Sequence, residues 1–460
     1  MSKQGLFHFE ISERKVLLRL FDITFISLSI IGLNFIFNKT YIYFSEKFWL
    51  WLLCYLSYFM FCATIFELYV LEKAESRFIV VKNLFISLLI TTLLYLFTPY
   101  ITPVLPPNRF DILILFVTNL IVLTLWRFSY ITFITSPRFY KRVLFVGKNF
   151  DIDDIVKELK SFDKNYEIIG YINTSQTFNS SKNITAYQLN DINNVIASET
   201  VSEIVVANSF KGVSEDLYNK LTPLLKTGIP IKSYSKVYEE ITKRILLKDV
   251  TNNFYCYFPF SRSNQNKFYL FVNRLIDIII SILGILLCIV LIPLILLFNI
   301  FFNKGELFYV QKRIGKFSKP FNIIKFRTMV KGAEHNGAQW AEKNDFRITP
   351  FGKILRASRM DELPQFINII KGEMSLIGPR PERPEFVEEL TKSIPFYDTR
   401  HIIKPGLTGW AQVNAKYAKT QEETLEKLQY DLYYIKERSL FLDFRILVKT
   451  ISTVILFKGH

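Results

Sequence analysis

Apolar residues in the first third of the chain fall into four long blocks, at 16–37, 48–70, 78–100 and 112–133. Each is close to the ~20 residues a helix needs to cross ~30 Å of hydrocarbon, so the pattern predicts a four-span transmembrane domain over 1–140. The rhythm then shortens. Apolar strand-like runs at 143–147, 168–172 and 203–207 alternate with helical periodicity such as that at 152–159, which predicts a parallel α/β domain over 141–245. A polar and aromatic connector follows at 246–267, and its Tyr257-Phe258-Pro259-Phe260 run is expected to rest on the membrane surface. One more apolar block, at 275–302, opens the last region, 268–460, which is expected to be mainly α-helical.

That fifth block is long enough to cross, yet Pro293 lies inside it, and a mid-helix proline removes a hydrogen bond and favours a kink. Cations flank it on both sides: Arg262, Lys267 and Arg274 before, then Lys304, Lys312, Arg313, Lys316 and Lys319 after. A simple crossing would leave one cluster on the wrong face. A re-entrant helix over about 270–302, bent near the Pro293 kink and returning to the face it entered from, is the expectation. For the four earlier spans, the cations sit before the first (Lys3, Arg14, Lys15), between the second and third (Lys73, Arg77, Lys82) and after the fourth (Arg138, Lys141, Arg142). By the positive-inside rule the N-terminus and everything after Arg142 then begin on the cytoplasmic side. Arg19, Asp22 and Glu67 are candidates for intramembrane functional charges, but they lie near span ends and are rather expected to snorkel or to mark frayed boundaries. The polar start of the chain carries no signal-peptide pattern.

Composition adds a partner class. A formal charge of +16 could serve nucleic acid, but beside so much apolar sequence it favours a membrane lipid surface and phosphate-bearing substrates, with no nucleic acid. Cys54, Cys62, Cys256 and Cys288 have no metal-ligand spacing and read as apolar filler. In the middle domain the run ending at Gly147 continues Lys148-Asn149-Phe150-Asp151, without the further glycines that let a pyrophosphate approach a helix N-terminus. A degenerate Rossmann-like domain with a regulatory or scaffolding role is expected there, its effector unread.

Chemistry-bearing residues concentrate after residue 306, in QKRIG (311–315), KFRTM (325–329), RASRMDELPQ (356–365), GPRPE (378–382) and KPGLTGWAQV (404–413). Arg and Lys beside rigid Gly/Pro turns suit the fixing of phosphate oxygens. Asp361 and Glu362 are neighbours in sequence, so their side chains diverge and unequal roles are expected: one carboxylate to attack phosphorus, the other to help hold a divalent cation. Trp410 fits either burial under its turn or stacking on a ligand, and His335 and His401 have no metal-ligand partner in sequence.

Taken in this order, KFRTM, DELPQ, GPRP and PGLTGWAQV resemble the bacterial sugar transferase family, the polyprenyl-phosphate hexose-1-phosphate transferases that start exopolysaccharide, capsule and O-antigen assembly. The four spans and Rossmann-like domain upstream look like its large members. The resemblance implies Mg²⁺, a UDP-sugar donor and undecaprenyl phosphate as acceptor, on the cytoplasmic side of a bacterial inner membrane. It implies that Asp361 is the nucleophile, forming an aspartyl phospho-sugar, with Glu362 as a metal-side helper and Asp361 and Glu362 both near the metal. Lys325, Arg327, Arg356 and Arg380 would hold phosphates, and a homodimer or polysaccharide-assembly partners are left open. Two departures stand out: Ile292 precedes the kink proline where small members commonly carry Ser, and Met360 stands where Leu is usual. The residues from 430 to 458 continue the family pattern as an amphipathic segment that suits either a membrane surface or a core. Two other functions were compatible with the sequence: a nucleotide-sugar epimerase or dehydratase working from the middle domain, and a non-enzymatic membrane scaffold.

Overall fold

The structure, a computed structural model, describes residues 11–37, 40–133, 141–148, 150–163, 166–174, 184–208, 215–226, 228–247, 264–303, 305–333, 345–415 and 420–455. The aromatic run at 257–260, Cys256 and His335 lie outside the described residues. The chain forms two compact units, Met1–Val237 and Tyr238–His460.

The first unit begins with the helices that the apolar blocks predict: α1 (Ile11–Ile36), α2 (Phe48–Ile65), α3 (Arg77–Leu96) and α4 (Phe110–Phe133). α1 packs on α4, α4 on α3 and α3 on α2, burying one face of each and leaving the others apolar and exposed, as lipid requires. The second span stops earlier than its apolar run. Glu67 takes a left-handed backbone (φ 60) that turns the chain, and its carboxylate pairs with Lys73. Asp22 corrects the expectation of snorkelling. It is fully buried and paired with the equally buried Arg127 of α4, while the Tyr69 hydroxyl donates to it at 3.1 Å and the Leu68 carbonyl accepts from Arg127 at 3.2 Å. An unpaired charge at that depth would be costly, so the pair fixes α1 against α4 in one register.

The α/β part of this unit is a five-stranded, all-parallel sheet in the order β3-β2-β1-β4-β5, from β1 (Lys141–Lys148), β2 (Tyr166–Asn173), β3 (Thr185–Ala186), β4 (Glu203–Asn208) and β5 (Ile231–Ser233). Val146 of the central β1 pairs with Ile172 on one side and Val206 on the other. Leu144, Val146, Ile172 and Ile204 are buried against Ile192, Leu217 and Leu221 of the covering helices. The helix after β1, α5 (Ile152–Phe162), shows why the glycine fingerprint is dispensable here. Asp151 caps it, accepting from the amides of Asp153 (2.9 Å) and Asp154 (3.3 Å), so a carboxylate takes the helix-terminal place that a pyrophosphate uses in a dinucleotide site.

In the second unit, α6 (Lys267–Phe302) is one 36-residue helix with Pro293 inside it, the fifth among the described residues that is long and apolar enough to cross a membrane. Its buried positions, Asp277, Ser281, Gly284, Cys288, Ile295 and Asn299, recur at spacings of three, four or seven residues and form a single stripe. The remaining circumference, including Phe271, Ile279, Leu283, Leu287, Val290, Leu294 and Phe301, is apolar and exposed. An antiparallel hairpin follows, β6 (Phe308–Ile314) with β7 (Pro320–Phe326), then α7 (Pro350–Ala357), α8 (Gln365–Lys371) and a short parallel pair, β8 (Ser375–Ile377) with β9 (Gly406–Thr408). Helices α9 (Gln421–Glu437) and α10 (Leu440–Ile455) close the unit, and α9 starts with a Thr420–Glu423 capping box. The core of the unit includes Phe366, Ile369, Leu376, Trp410, Leu428 and Ile446.

Candidate active site

Thr349 caps α7, its hydroxyl accepting from Gly352 N at 3.0 Å, and Pro350 occupies the first helical position where its missing N–H costs nothing. The helix stops at Ala357, and Arg359 in a left-handed conformation (φ 58) redirects the chain into a tight 3₁₀ turn, Met360–Glu362. Pro364 then leads into α8. Asn368 of α8 ties this segment to the hairpin, donating to Asn322 O at 2.7 Å and accepting from Ile324 N at 3.2 Å. The acidic pair is thus held between two helices and a β-strand by residues on both sides of it, from Thr349 and Arg359 to Pro364 and Asn368.

Both carboxylates are buried, with 8% and 7% exposure, yet their surroundings differ. Glu362 Oε1 accepts from Arg380 Nη2 at 2.9 Å and lies 3.6 Å from Arg359 Nη1. Burial pushes its acidity the other way, but the charges of Arg380, Lys325 and Arg359 win and hold it below the usual glutamate range. Asp361 is raised above the usual aspartate range by burial and by the neighbouring Glu362 charge, against the pull of Lys325, Arg356 and Arg359. Its Oδ1 is buried without a hydrogen-bond partner among the described residues. The pair therefore consists of one firmly ionised, clamped carboxylate and one whose oxygen is uncommitted.

The cations around the pair come from separate elements. Lys325, at the end of β7, has its ammonium pushed down to about 8 by burial and by Arg380, with Glu362 opposing. Arg356 is oriented by a bond from Nε to Thr328 Oγ1 at 2.9 Å. Arg380 rides on a loop whose backbone is fixed from both sides. Gly378 N donates to Thr408 O and Gly406 N to Pro379 O, each at 2.9 Å. A Cβ on Gly378 would lie 2.4 Å from Lys404 O, and one on Gly406 would lie 2.1 Å from Gly378 N, so GPRP and PGLTG need their glycines where the two loops meet. Arg327 points elsewhere: its guanidinium donates to the carbonyl of Asn303 at the end of α6 and packs under Gly305.

Sequence reading missed the support behind Arg380. Arg400 donates to Arg380 O (3.0 Å), to Tyr397 Oη (2.6 Å) and to Asp431 Oδ2 (2.8 Å), with Arg400, Tyr397 and Asp431 all buried. Arg313 holds the other side of the loop through Pro381 O at 3.1 Å and Glu382 at 3.5 Å. Nothing in the local pattern around Arg400 distinguishes it from a surface arginine; only its partners, 20 and 31 residues away, reveal it. Trp410 resolves to burial: it is 2% exposed and its indole donates to Lys243 O at 3.1 Å.

The sequence profile described as bacterial sugar transferase matches residues 268–457, which span the whole of this site. An Aeromonas hydrophila protein named UDP-N-acetylgalactosamine-undecaprenyl-phosphate N-acetylgalactosaminephosphotransferase is 40% identical over 230 residues, 49% of this chain and 52% of that one. A Bacillus subtilis protein named putative undecaprenyl-phosphate N-acetylgalactosaminyl 1-phosphate transferase is 42% identical over 144 residues, 31% of this chain and 79% of its own length. The chain belongs to the bacterial sugar transferase family. The UDP-glucose:undecaprenyl-phosphate glucose-1-phosphate transferase of Escherichia coli is 38% identical over 196 residues, 41% of each protein. Against such longer relatives the chain spans about half their length or less. The matched region carries every residue of the acidic pair and its cationic surround, while the four-span bundle and parallel sheet lie outside the profile match.

Proposed function

We propose that this member of the family transfers a hexose-1-phosphate from a UDP-sugar to undecaprenyl phosphate, as the first membrane step in building an exopolysaccharide, capsule or O-antigen. The observation that carries the reading is the asymmetry of the pair: Asp361 Oδ1 is buried and uncommitted, while Glu362 is clamped by Arg380. In the first step an Asp361 oxygen bonds to the sugar-linked phosphorus and the bond to the bridging oxygen breaks, so UMP leaves with that oxygen and its electron pair. In the second step an oxygen of the lipid phosphate bonds to the same phosphorus and the aspartyl ester breaks. This returns the Asp361 carboxylate and yields undecaprenyl-diphosphate-sugar. Phosphoryl transfer depends mainly on positioning and charge neutralisation, the tasks for which Arg356, Arg380 and Lys325 are arranged.

A Mg²⁺ ion fits the donor set, because it favours one or two carboxylates plus phosphate oxygens and Asp361 has an oxygen to give. Asp361 and Glu362 would hold it, and when bound it neutralises diphosphate charge.

The same reading takes α6 as re-entrant, at the cytoplasmic face of the inner membrane. Three features support that. Tyr269 and Asn273 at its start bond Asp443, Gly284 midway lies under the Phe366 ring, and Asn303 after its end bonds Arg327, so one folded unit grips the helix along its length. A helix crossing the bilayer would place those grips on opposite sides. The apolar remainder of its surface suits lipid.

The test is UMP release by the full chain from a panel of UDP-sugars with undecaprenyl phosphate and Mg²⁺, together with mass analysis of an acid-trapped Asp361 adduct. Asp361→Asn should abolish both while the protein still inserts in membranes. Turnover retained by that variant would exclude Asp361 as nucleophile, and absence of UMP release by the parent under active-lipid conditions would favour a scaffold.

A further inference from the structure

A second convergence of cations lies at the far end of α8 from the acidic pair. Arg274, in the third turn of α6, donates Nη1 to Ile369 O at 2.6 Å and Nη2 to Ile370 O at 2.7 Å, which fixes its guanidinium against the C-terminus of α8. That helix ends on Gly372 in a left-handed conformation (φ +84). A Cβ built there would meet only two atoms within 4 Å: Lys404 Nζ at 3.4 Å and Arg274 Nη2 at 3.8 Å. The glycine thus leaves an open cradle lined by two cationic heads from separate segments, close enough for one tetrahedral anion to bond both.

The nearby acids also hydrogen-bond to other groups. Asp277, which faces both cations, accepts from Leu376 N at 2.9 Å and Ser375 Oγ at 3.1 Å through Oδ1. Glu373 accepts from Asn368 Nδ2 at 2.7 Å. Lys316 and Arg438 add positive charge around Lys404, whose ammonium is pushed down by burial and by Arg274. Cations are gathered here at an electrostatic cost that an anion would relieve.

The surroundings say where the anion comes from. Phe268, Phe271 and Leu275 of α6 and Leu440, Phe441 and Phe444 of α10 are exposed, and the two helices are joined by the Tyr269 and Asn273 bonds to Asp443. Arg274 is the last cation of α6 before its long apolar stretch. Apolar side chains beside cations mark the depth at which headgroups meet acyl chains.

We infer that Arg274 and Lys404, converging over Gly372, form a binding site for the phosphate of a membrane lipid, separate from Asp361 and Glu362. Two charge-assisted bonds bind the phosphate, the exposed aromatics of α6 and α10 take the chains, and Gly372 is required because a side chain would fill the cradle and strain its backbone. The site does not depend on the transfer chemistry proposed above.

Native mass spectrometry of the full chain, released from phosphatidylcholine nanodiscs doped with phosphatidylglycerol, tests this by counting anionic lipid kept after collisional stripping. The parent and Asp361→Asn should keep a tightly held phosphatidylglycerol; Lys404→Gln should keep roughly tenfold less, as loss of one charge-assisted bond predicts; and Lys404→Arg should recover it. Displacement by undecaprenyl phosphate but not by inorganic phosphate supports a lipid phosphate and names the acceptor as an occupant. Displacement by inorganic phosphate alone overturns the lipid source. Equal retention by Lys404→Gln, with the same thermal midpoint as the parent, overturns the site, and loss in Asp361→Asn places the lipid at the acidic pair and overturns its separateness.

Discussion

Lys325→Arg isolates one electrostatic feature of the site. The Lys325 ammonium is pushed down to about 8 because it is buried and faces Arg380 and Arg313, with Glu362 and Asp361 only partly compensating. If its charge is needed to receive the donor diphosphate, kcat/KM for UDP-sugar falls as pH rises through that value. A group with a pKa near 8 is only about one-tenth protonated at pH 9, so the parent should lose roughly tenfold between its plateau and pH 9, equivalent to ~1.4 kcal/mol. A guanidinium stays charged throughout that range, so Lys325→Arg should have a flat alkaline limb whatever its absolute rate. The assay is the pH dependence of kcat/KM for UMP release, which reports groups of the free enzyme and so is not shifted by bound phosphate. An alkaline fall that persists unchanged in Lys325→Arg would refute the assignment.

On the acid side, Asp361 must be ionised to attack, and its acidity is weakened by burial and Glu362; UMP release should therefore decline at a pH where an ordinary aspartate, near 3.8, is still charged. Measuring that limb without acceptor removes the lipid's own phosphate titration, which falls near ~6. Gly284→Ala puts a Cβ 2.3 Å from the Phe366 ring and should cost about 1–3 kcal/mol by overpacking, read as a lower thermal midpoint in detergent. Asp431→Asn leaves Arg400 buried without its carboxylate and should destabilise the second unit by about 3–5 kcal/mol, measured by denaturant unfolding. Because Arg400 also holds Arg380 O, the same variant should lower kcat when assayed where it remains folded.

Periodicity carried the α-helices and strands well, because burial imposes a repeat that sequence displays directly. The four apolar blocks became α1 to α4, and the alternating runs became a parallel sheet with β1 at its centre. What stayed hidden depends on partners far along the chain. Asp22 looked like a boundary residue because nothing near it in sequence shows Arg127, 105 residues away. Arg327 shares KFRTM with Lys325, yet it lies just past the end of β7, and the adjoining end of α6 takes its guanidinium to Asn303. The acidic pair was visible as a motif, but its environment was not: Arg359 reaches Glu362 through a left-handed turn, and Arg380 reaches it from 18 residues away.

That environment explains how two adjacent carboxylates serve different ends. On a 3₁₀ turn neighbouring side chains diverge by about 120°, so Asp361 and Glu362 point in different directions. Glu362 faces the arginines and is ionised by them; burial and that fixed negative charge together weaken the acidity of Asp361. A carboxylate held in that way is more basic, and so a stronger nucleophile once ionised, than one neutralised by direct contact with a guanidinium. Had Arg380 bonded Asp361 instead, the oxygen that attacks in the proposed mechanism would be occupied and its electron density drawn away. In the proposed mechanism the Pro-flanked loop carrying Arg380, with Arg400 and Asp431 behind it, therefore acts by deciding which of the two carboxylates is left uncommitted.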